Sequence, residues 1–207
     1  MSERDKIFAS IREALQDIEK VPRPEIDFPG IVADRRLEDT NLWGAFKQNF
    51  EAVRGYHFDA IPGLIQFIQD QKLTCGYCDP ALRQEMGEPL SEHFDIQYNY
   101  SRELVDELSF CITRGSSVVA ETGSIILKDR DTVNRLAAVA PWLHIAVVAD
   151  ADIHRSVRDA ILNFDDDPNI VWVTGPSKTG DIEGILIEGV HGPGEQVCFQ
   201  LAEPNGD

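Results

Sequence analysis

The chain has 207 residues, 43% of them hydrophobic and 27% charged, with 15 glycines and 11 prolines, an ordinary globular composition that excludes a collagen-like or disordered chain. Nineteen basic against 36 acidic residues leave a formal net charge of −17, and most of the acid excess falls after residue 55. A field of that sign repels phosphate backbones and anionic lipid, so neither nucleic acid nor a membrane surface is an expected partner.

The opening residues MSERDKIFAS alternate charged with apolar groups and show no secretory signal. Within them Ile7, Ile11, Ala14, Leu15 and Ile18 share one helical face, and Ser2 with Asp5 forms a capping pattern, so a helix is expected over residues 3–20. Pro22, Pro24, Pro29 and Gly30 then mark residues 21–38 as a connector. The expected organisation is an N-terminal helix and connector over 1–38 and an α/β domain over 39–207. After Asp39 and Thr40, Leu42, Phe46, Phe50 and Val53 recur at helical spacing, as do Ile61, Leu64, Ile65 and Ile68.

From residue 72 the pattern changes to short β-prone runs: LTCGY, FDIQY, FCIT, SVVA, SIIL, HIAVV, IVWV, ILIEGV and VCFQL. Helical patterns at 102–109 and 152–164 lie between them. Near-continuous apolar strands alternating with amphipathic helices predict an α/β fold whose mostly parallel sheet is covered on both faces. The longest uncharged run, Leu136–Ala149, has fourteen residues, short of the roughly 20 that a membrane helix needs. A cytoplasmic protein is expected.

The four cysteines, Cys75, Cys78, Cys111 and Cys198, are too few for a disulfide framework, and the single CGYC has no second pair with which to build a zinc or iron–sulfur site. They read as small buried thiols. The run Asp165, Asp166, Asp167 reads most simply as a solvated turn, with metal binding as the remote alternative.

In open α/β sheets ligands collect at the carboxyl ends of strands, which directs attention to three places. In VVAETGSIIL, Glu121 and Thr122 precede Gly123 between apolar runs. A carboxylate there is either desolvated and raised toward useful proton-transfer pKa values or simply a turn acid. In IVWVTGPSKTGD, a strand runs into Gly175, Ser177, Lys178, Thr179 and Asp181. These would form an anion cradle, although the spacing is not that of a Walker A loop and Asp181 equally suits a local cap. In GVHGPG, His191 precedes Gly192, alone among the five histidines in a glycine-rich strand end, where it serves as acid, base, ligand contact or structural hydrogen-bonder. No spacing of His and carboxylate suggests a metal site.

Taken together, VVAETGSIIL at 118–127, PWLHIAVV at 141–148 and above all TGPSKTGDIEGILIEGVHGP at 174–193 resemble the LUD-domain proteins, specifically the lactate utilisation protein C group. Where that group usually has Thr and Ala, this chain has Ser124 and Gly180. The resemblance implies a three-layer α/β/α fold similar to the ribose-5-phosphate isomerase, glucosamine-phosphate deaminase and CoA-transferase group, and a role in oxidising L-lactate to pyruvate. It also implies that the iron–sulfur clusters sit on partner subunits, leaving this chain without a cofactor of its own.

Two readings remain open at this point. One is a subunit or accessory protein of an iron–sulfur lactate oxidation system that binds a small carboxylate or other anion, with self-association open. The other is a small-molecule enzyme of CoA-transferase-like fold with Glu121 as base or nucleophile and His191 assisting. Thr122, Gly123, Gly175, Ser177, Lys178, Thr179, Asp181 and Gly192 are the expected ligand contacts under either.

Overall fold

The computed structural model describes residues 2–15, 41–132, 134–167, 169–180 and 186–202. The chain divides into two compact units, Met1–Ala33 and Asp34–Asp207. In the first, α1 (Glu3–Leu15) begins with a reciprocal cap: Ser2 N–H donates to Asp5 Oδ2 at 2.8 Å and Asp5 N–H to Ser2 Oγ at 3.2 Å. Its apolar residues Ile7, Ile11 and Leu15 are exposed. The expected continuation of this helix to residue 20, the connector over 21–38 and Asp181 all lie outside the described residues.

The second unit begins with α2 (Leu42–Ala52), capped by Asn41, whose side chain accepts from Trp43 N–H at 3.1 Å. There follow β1 (Tyr56–Phe58), α3 (Ile61–Asp70), β2 (Cys75–Cys78), a 3-10 turn (Pro80–Leu82) and a π-helical turn (Arg83–Gly87) leading into α4 (Glu88–Ser91), β3 (Asp95–Gln97) and β4 (Phe110–Arg114). Next come the hairpin β5 (Ser117–Val119) and β6 (Ser124–Lys128), α5 (Arg135–Val139), β7 (Leu143–Ala149), β8 (Ile153–His154), α6 (Val157–Leu162) and β9 (Ile170–Val173). The short hairpin β10 (Lys178–Gly180) and β11 (Leu186–Glu188) precedes the last strand, β12 (Glu195–Leu201).

Six strands form one sheet in the order β1-β12-β7-β4-β2-β3, parallel at every pairing. The α/β architecture with a mostly parallel sheet is therefore as the apolar runs predict. SVVA and SIIL do not join that sheet. As β5 and β6 they pair antiparallel and, with β8 and β9, make a second, four-stranded sheet in the order β8-β5-β6-β9.

Alternation along the central strands sorts their side chains to two faces. Phe110, Ile112, Leu143, Ile145, Val197 and Phe199 pack under Leu64 and Ile68 of α3 and Leu90 of α4. The opposite face carries smaller groups, Ala146, Val148 and Cys198, and these admit Phe46 and Phe50 of α2, Ala138 of α5 and Val118, Ile125 and Leu127 of the second sheet. The same face buries a polar row across three strands. Thr113 Oγ1 lies 2.8 Å from His144 Nε2, and His144 Nδ1 meets the Gln196 side-chain amide at 2.9 to 3.1 Å. Burial lowers the His144 pKa to about 4.

The cysteines sit within this packing. Cys75 and Cys78 project to opposite faces of β2, one beside Tyr77 and Cys111, the other into the α3 side of the core. The expected helix at 102–109 is a single turn, Arg102–Leu104, and that at 152–164 begins only at Val157, because Ile153 and His154 pair with β5 first. The triple aspartate is more than a solvated turn. Asp165 binds Lys128 and Arg130, and Asp167 accepts from the backbone N–H groups of Arg130 and Asn169.

Candidate functional site

The AETG and TGPSK motifs meet on the second half of α2. Gly123 turns the β5–β6 hairpin with φ +63°, and a Cβ there would lie 2.4 Å from Phe50 N. Asn49 Nδ2 clamps the same turn from the helix, donating to the carbonyls of Ala120 at 2.8 Å and Glu121 at 3.1 Å. Gly175, φ +76°, stands so close to Val53 that a Cβ would lie 2.3 Å from that carbonyl oxygen. Lys178 Nζ donates to the same oxygen at 3.0 Å and so closes the carboxyl end of α2. A chain of hydroxyls, Thr122 Oγ1 to Ser124 Oγ at 2.7 Å and Ser124 Oγ to Thr174 Oγ1 at 2.8 Å, ties one motif to the other.

The third motif joins by backbone contact. Ser177 N–H donates to Pro193 O at 2.8 Å, Gly189 N–H donates to Ser177 O at 3.0 Å, and a Cβ at Gly192 would touch Ser177. Thr179 pairs with Ile187 in the β10–β11 hairpin. His191 is exposed. Glu121 Oε2 accepts from Val157 N–H at 3.1 Å at the start of α6, which Ser156 caps through Asp159 N–H. The structure thus gathers Thr122, Gly123, Gly175, Ser177, Lys178 and Gly192 into one brace around α2. It shows no contact that brings the Glu121 carboxylate to Lys178 or His191.

An open cleft of about 540 Å³ adjoins this brace, lined by Glu51, Arg54, Tyr56, Pro176, Glu188 and Glu195. Arg54 Nη1 pairs with Glu188 Oε1 at 2.7 Å. Burial, and then the nearby Glu188 charge, raise the Glu195 pKa. Three carboxylates against one guanidinium give the cleft beside Pro176 an acidic field that disfavours an anion.

A cleft of about 340 Å³ opens elsewhere, at the carboxyl ends of β4 and β7. Arg114, Ser117, Lys128, Arg130, Asp152 and His154 line it. Lys128, nearly buried, lies 3.4 Å from Asp165 and faces the Phe164 ring, while Arg130 pairs with Asp165 and with Asp131. The exposed Arg114 guanidinium and the hydroxyl of Ser117 have no partner among the described residues. Burial, with Lys128 second, lowers the His154 pKa. No sequence motif marks this cleft, although FCITRGSS places Arg114 directly after an apolar run, the position at which ligands collect.

At the carboxyl end of β2, where the strand order reverses between β2 and β4, Asp79 is buried. Its Oδ1 accepts from Ala81 N–H at 2.9 Å and its Oδ2 has no hydrogen-bond partner among the described residues. Among the described residues no group of three or more His, Cys, Asp or Glu side chains gathers as a metal-ligand set. None of the described helices is long and apolar enough to cross a membrane.

A profile of the LUD domain matches residues 8–199. The chain belongs to the LUD domain family. The resemblance seen in the AETG and TGPSKTGD segments is thereby established. This LUD domain protein is 34% identical over 94 residues to lactate utilization protein C of Deinococcus radiodurans, 43% of this chain and 44% of that protein. It is 32% identical over 90 residues to the Bacillus subtilis protein of the same name, 40% of this chain and 38% of that one. With that of an Exiguobacterium species it shares 34% identity over 115 residues, half of each chain. The match therefore spans half or less of each of these relatives. The LUD domain protein also resembles in fold a solved DUF162 family protein from Deinococcus radiodurans, with a TM-score of 0.55 at 20% identity over 78% of this chain and 96% of that one.

Proposed function

We propose that this LUD domain protein serves lactate utilisation, as a subunit or accessory protein of an iron–sulfur system that oxidises L-lactate to pyruvate. The observation that carries the reading is its similarity to proteins named lactate utilization protein C in several bacteria. Oxidising lactate to pyruvate removes two electrons and two protons, so an acceptor is required, and in this reading clusters on partner proteins supply it. The chain's own thiols support that division of labour. Thiolate is the form that ligates iron, and burial pushes the Cys78 and Cys111 thiols up to about 12 and Cys198 higher still.

The family motifs fit a supporting role in the same way. Lys178 is engaged on a helix terminus, Gly123 and Gly175 are required by close backbone approach, and one oxygen of Glu121 holds the first turn of α6. The test is deletion of the gene. The deletion strain should lose growth on L-lactate and regain it with the wild-type gene, and the tagged protein should retain iron-containing partners on purification. Undiminished lactate oxidation in the deletion strain overturns the reading. Complementation with Glu121→Gln addresses the enzymatic alternative, because the amide oxygen preserves the bond from Val157 N–H while removing the base. Full complementation excludes Glu121 chemistry, and loss of complementation by a normally folded variant favours it.

A further inference from the structure

We infer that the cleft at the carboxyl ends of β4 and β7 is a binding site for a small 2-hydroxycarboxylate, held by Arg114, Ser117 and Asp152. Three independent observations converge on it. The first is position: the cleft opens at the carboxyl edge of the parallel sheet, beside its two central strands. The second is charge. In a chain of net charge −17, the cleft collects Arg114, Lys128 and Arg130. Lys128 and Arg130 are neutralised by Asp165, and Arg130 also by Asp131, which leaves Arg114 as the lining cation without an ion-pair partner among the described residues.

The third observation is polarity open to the cleft. Ser117, only 5% exposed, opens β5 with a hydroxyl that no described residue engages. The oxygen is not among the buried, unpartnered side-chain atoms of the described residues, so it opens to the cleft, where a ligand atom can bond it in place of water. Asp152 adds a carboxylate whose side chain has no hydrogen bond or ion pair among the described residues, an acceptor for a ligand hydroxyl. A guanidinium presents a planar fork to a carboxylate, and a carboxylate on the protein accepts from a hydroxyl. The pair Arg114 and Asp152 therefore matches a ligand that carries an anionic carboxylate and a neighbouring hydroxyl donor. Acetate lacks the hydroxyl, and hydrogen phosphate, which has one, lacks the planar carboxylate and brings more negative charge toward Asp152. The half-buried His154 beside Lys128, with its pKa lowered, adds a ring nitrogen that accepts or donates without adding a full charge.

The choice of hydroxy acid rests on the lactate-utilisation reading, whereas the cleft stands on its own geometry. The test is calorimetric titration of the purified full chain with L-lactate, pyruvate, acetate and inorganic phosphate, repeated on Arg114→Ala, Ser117→Ala and Asp152→Asn. Arg102→Ala, an exposed arginine outside the cleft, is the control for charge alone. Binding of L-lactate in preference to acetate and phosphate is expected, weakened about tenfold or more by Arg114→Ala, as loss of a charge-assisted bond implies, and unchanged in Arg102→Ala. Arg114 is exposed, so its variant should unfold at the wild-type temperature, and Ser117→Ala gives a second variant if it does not.

No binding of any of the four ligands, undiminished affinity in Arg114→Ala, or equal affinity for phosphate and L-lactate each overturns the inference. The outcomes separate the two proposals. A deletion strain that cannot use lactate while the protein fails to bind it sinks the cleft alone. A specific site in a protein whose deletion leaves lactate oxidation intact sinks the pathway assignment alone.

Discussion

Replacing Gly123 by alanine probes the brace around α2 most directly. The added Cβ would lie 2.4 Å from Phe50 N and 2.6 Å from Asn49 C, and both are helix backbone that no side-chain rotation can move aside. The position also has φ +63°, where an L-residue costs about 1–2 kcal/mol. To relieve the overlap the hairpin must withdraw from α2, loosening the two bonds from Asn49 at about 1 kcal/mol each. The sum is about 3–4 kcal/mol, a large part of the roughly 5–15 kcal/mol that holds a domain folded. For a unit of this size it corresponds to a fall in melting temperature of about 6–16 °C, measurable by circular dichroism or tryptophan fluorescence. Gly180→Ala is the matched control. Its Cβ would meet nothing within 4 Å and its φ is not left-handed, so this variant should be neutral or up to about 1 kcal/mol more stable. If Gly123→Ala unfolds within about 1 kcal/mol of wild type, or if the two variants lose equally, the close-approach argument fails.

Three further outcomes are expected. Lys178→Ala removes a cation from a helix carboxyl terminus and should cost under about 1 kcal/mol in urea unfolding, with L-lactate affinity unchanged; a loss of affinity without loss of stability would move Lys178 into a ligand site. His144 should remain neutral in NMR titration down to about pH 5, because its pKa in the fold is about 4 against an ordinary 6.5. The unfolded chain therefore takes up that proton first as pH falls, so a contribution fully present above 6.5 is lost on approach to pH 4, by roughly 3 kcal/mol at most. A His144 ring that titrates near 6.5 would refute this. Asp79→Asn keeps the acceptor for Ala81 N–H and replaces a buried oxygen that has no donor; it should raise stability by about 1 kcal/mol, and a drop of that size would show that Oδ2 is engaged in the folded protein.

Much of the fold was legible because a strand buried on both faces must be apolar along its length. FCIT, HIAVV and VCFQL mark β4, β7 and β12 for that reason. Pairing was not legible to the same degree. SVVA and SIIL are as apolar as the central strands, yet Gly123 turns them back on each other and they close a separate sheet. Helix ends also escaped, since Ile153 and His154 fit a helical period but gain a parallel partner in β5. At the site, the glycines of AETG and TGPSK announced a close approach, and the approach is real. What approaches is the backbone of α2, a partner about seventy residues distant from Gly123 and more from Gly175, which no local pattern names. Arg114 left no motif at all, since an arginine ending a strand is ordinary until the fold shows that none of the described residues pairs with it.

The place of β12 in the sheet bears on how the protein is made. The strand lies between β7 and β1 and is the last of the described elements to leave the ribosome, while β1 is the first strand, roughly 140 residues earlier at the register Tyr56 with Val197. At about 5–20 residues per second, β1 waits on the order of ten seconds for β12, and the apolar edge of β7, about 50 residues earlier than its partner, waits roughly 3–10 seconds. During that interval α2 and the hairpin can associate locally, but the main sheet carries a gap one strand wide. A ribosome that stalls within the last dozen codons of the described region would release a chain with two open edges, the kind of intermediate that chaperones retain and proteases clear.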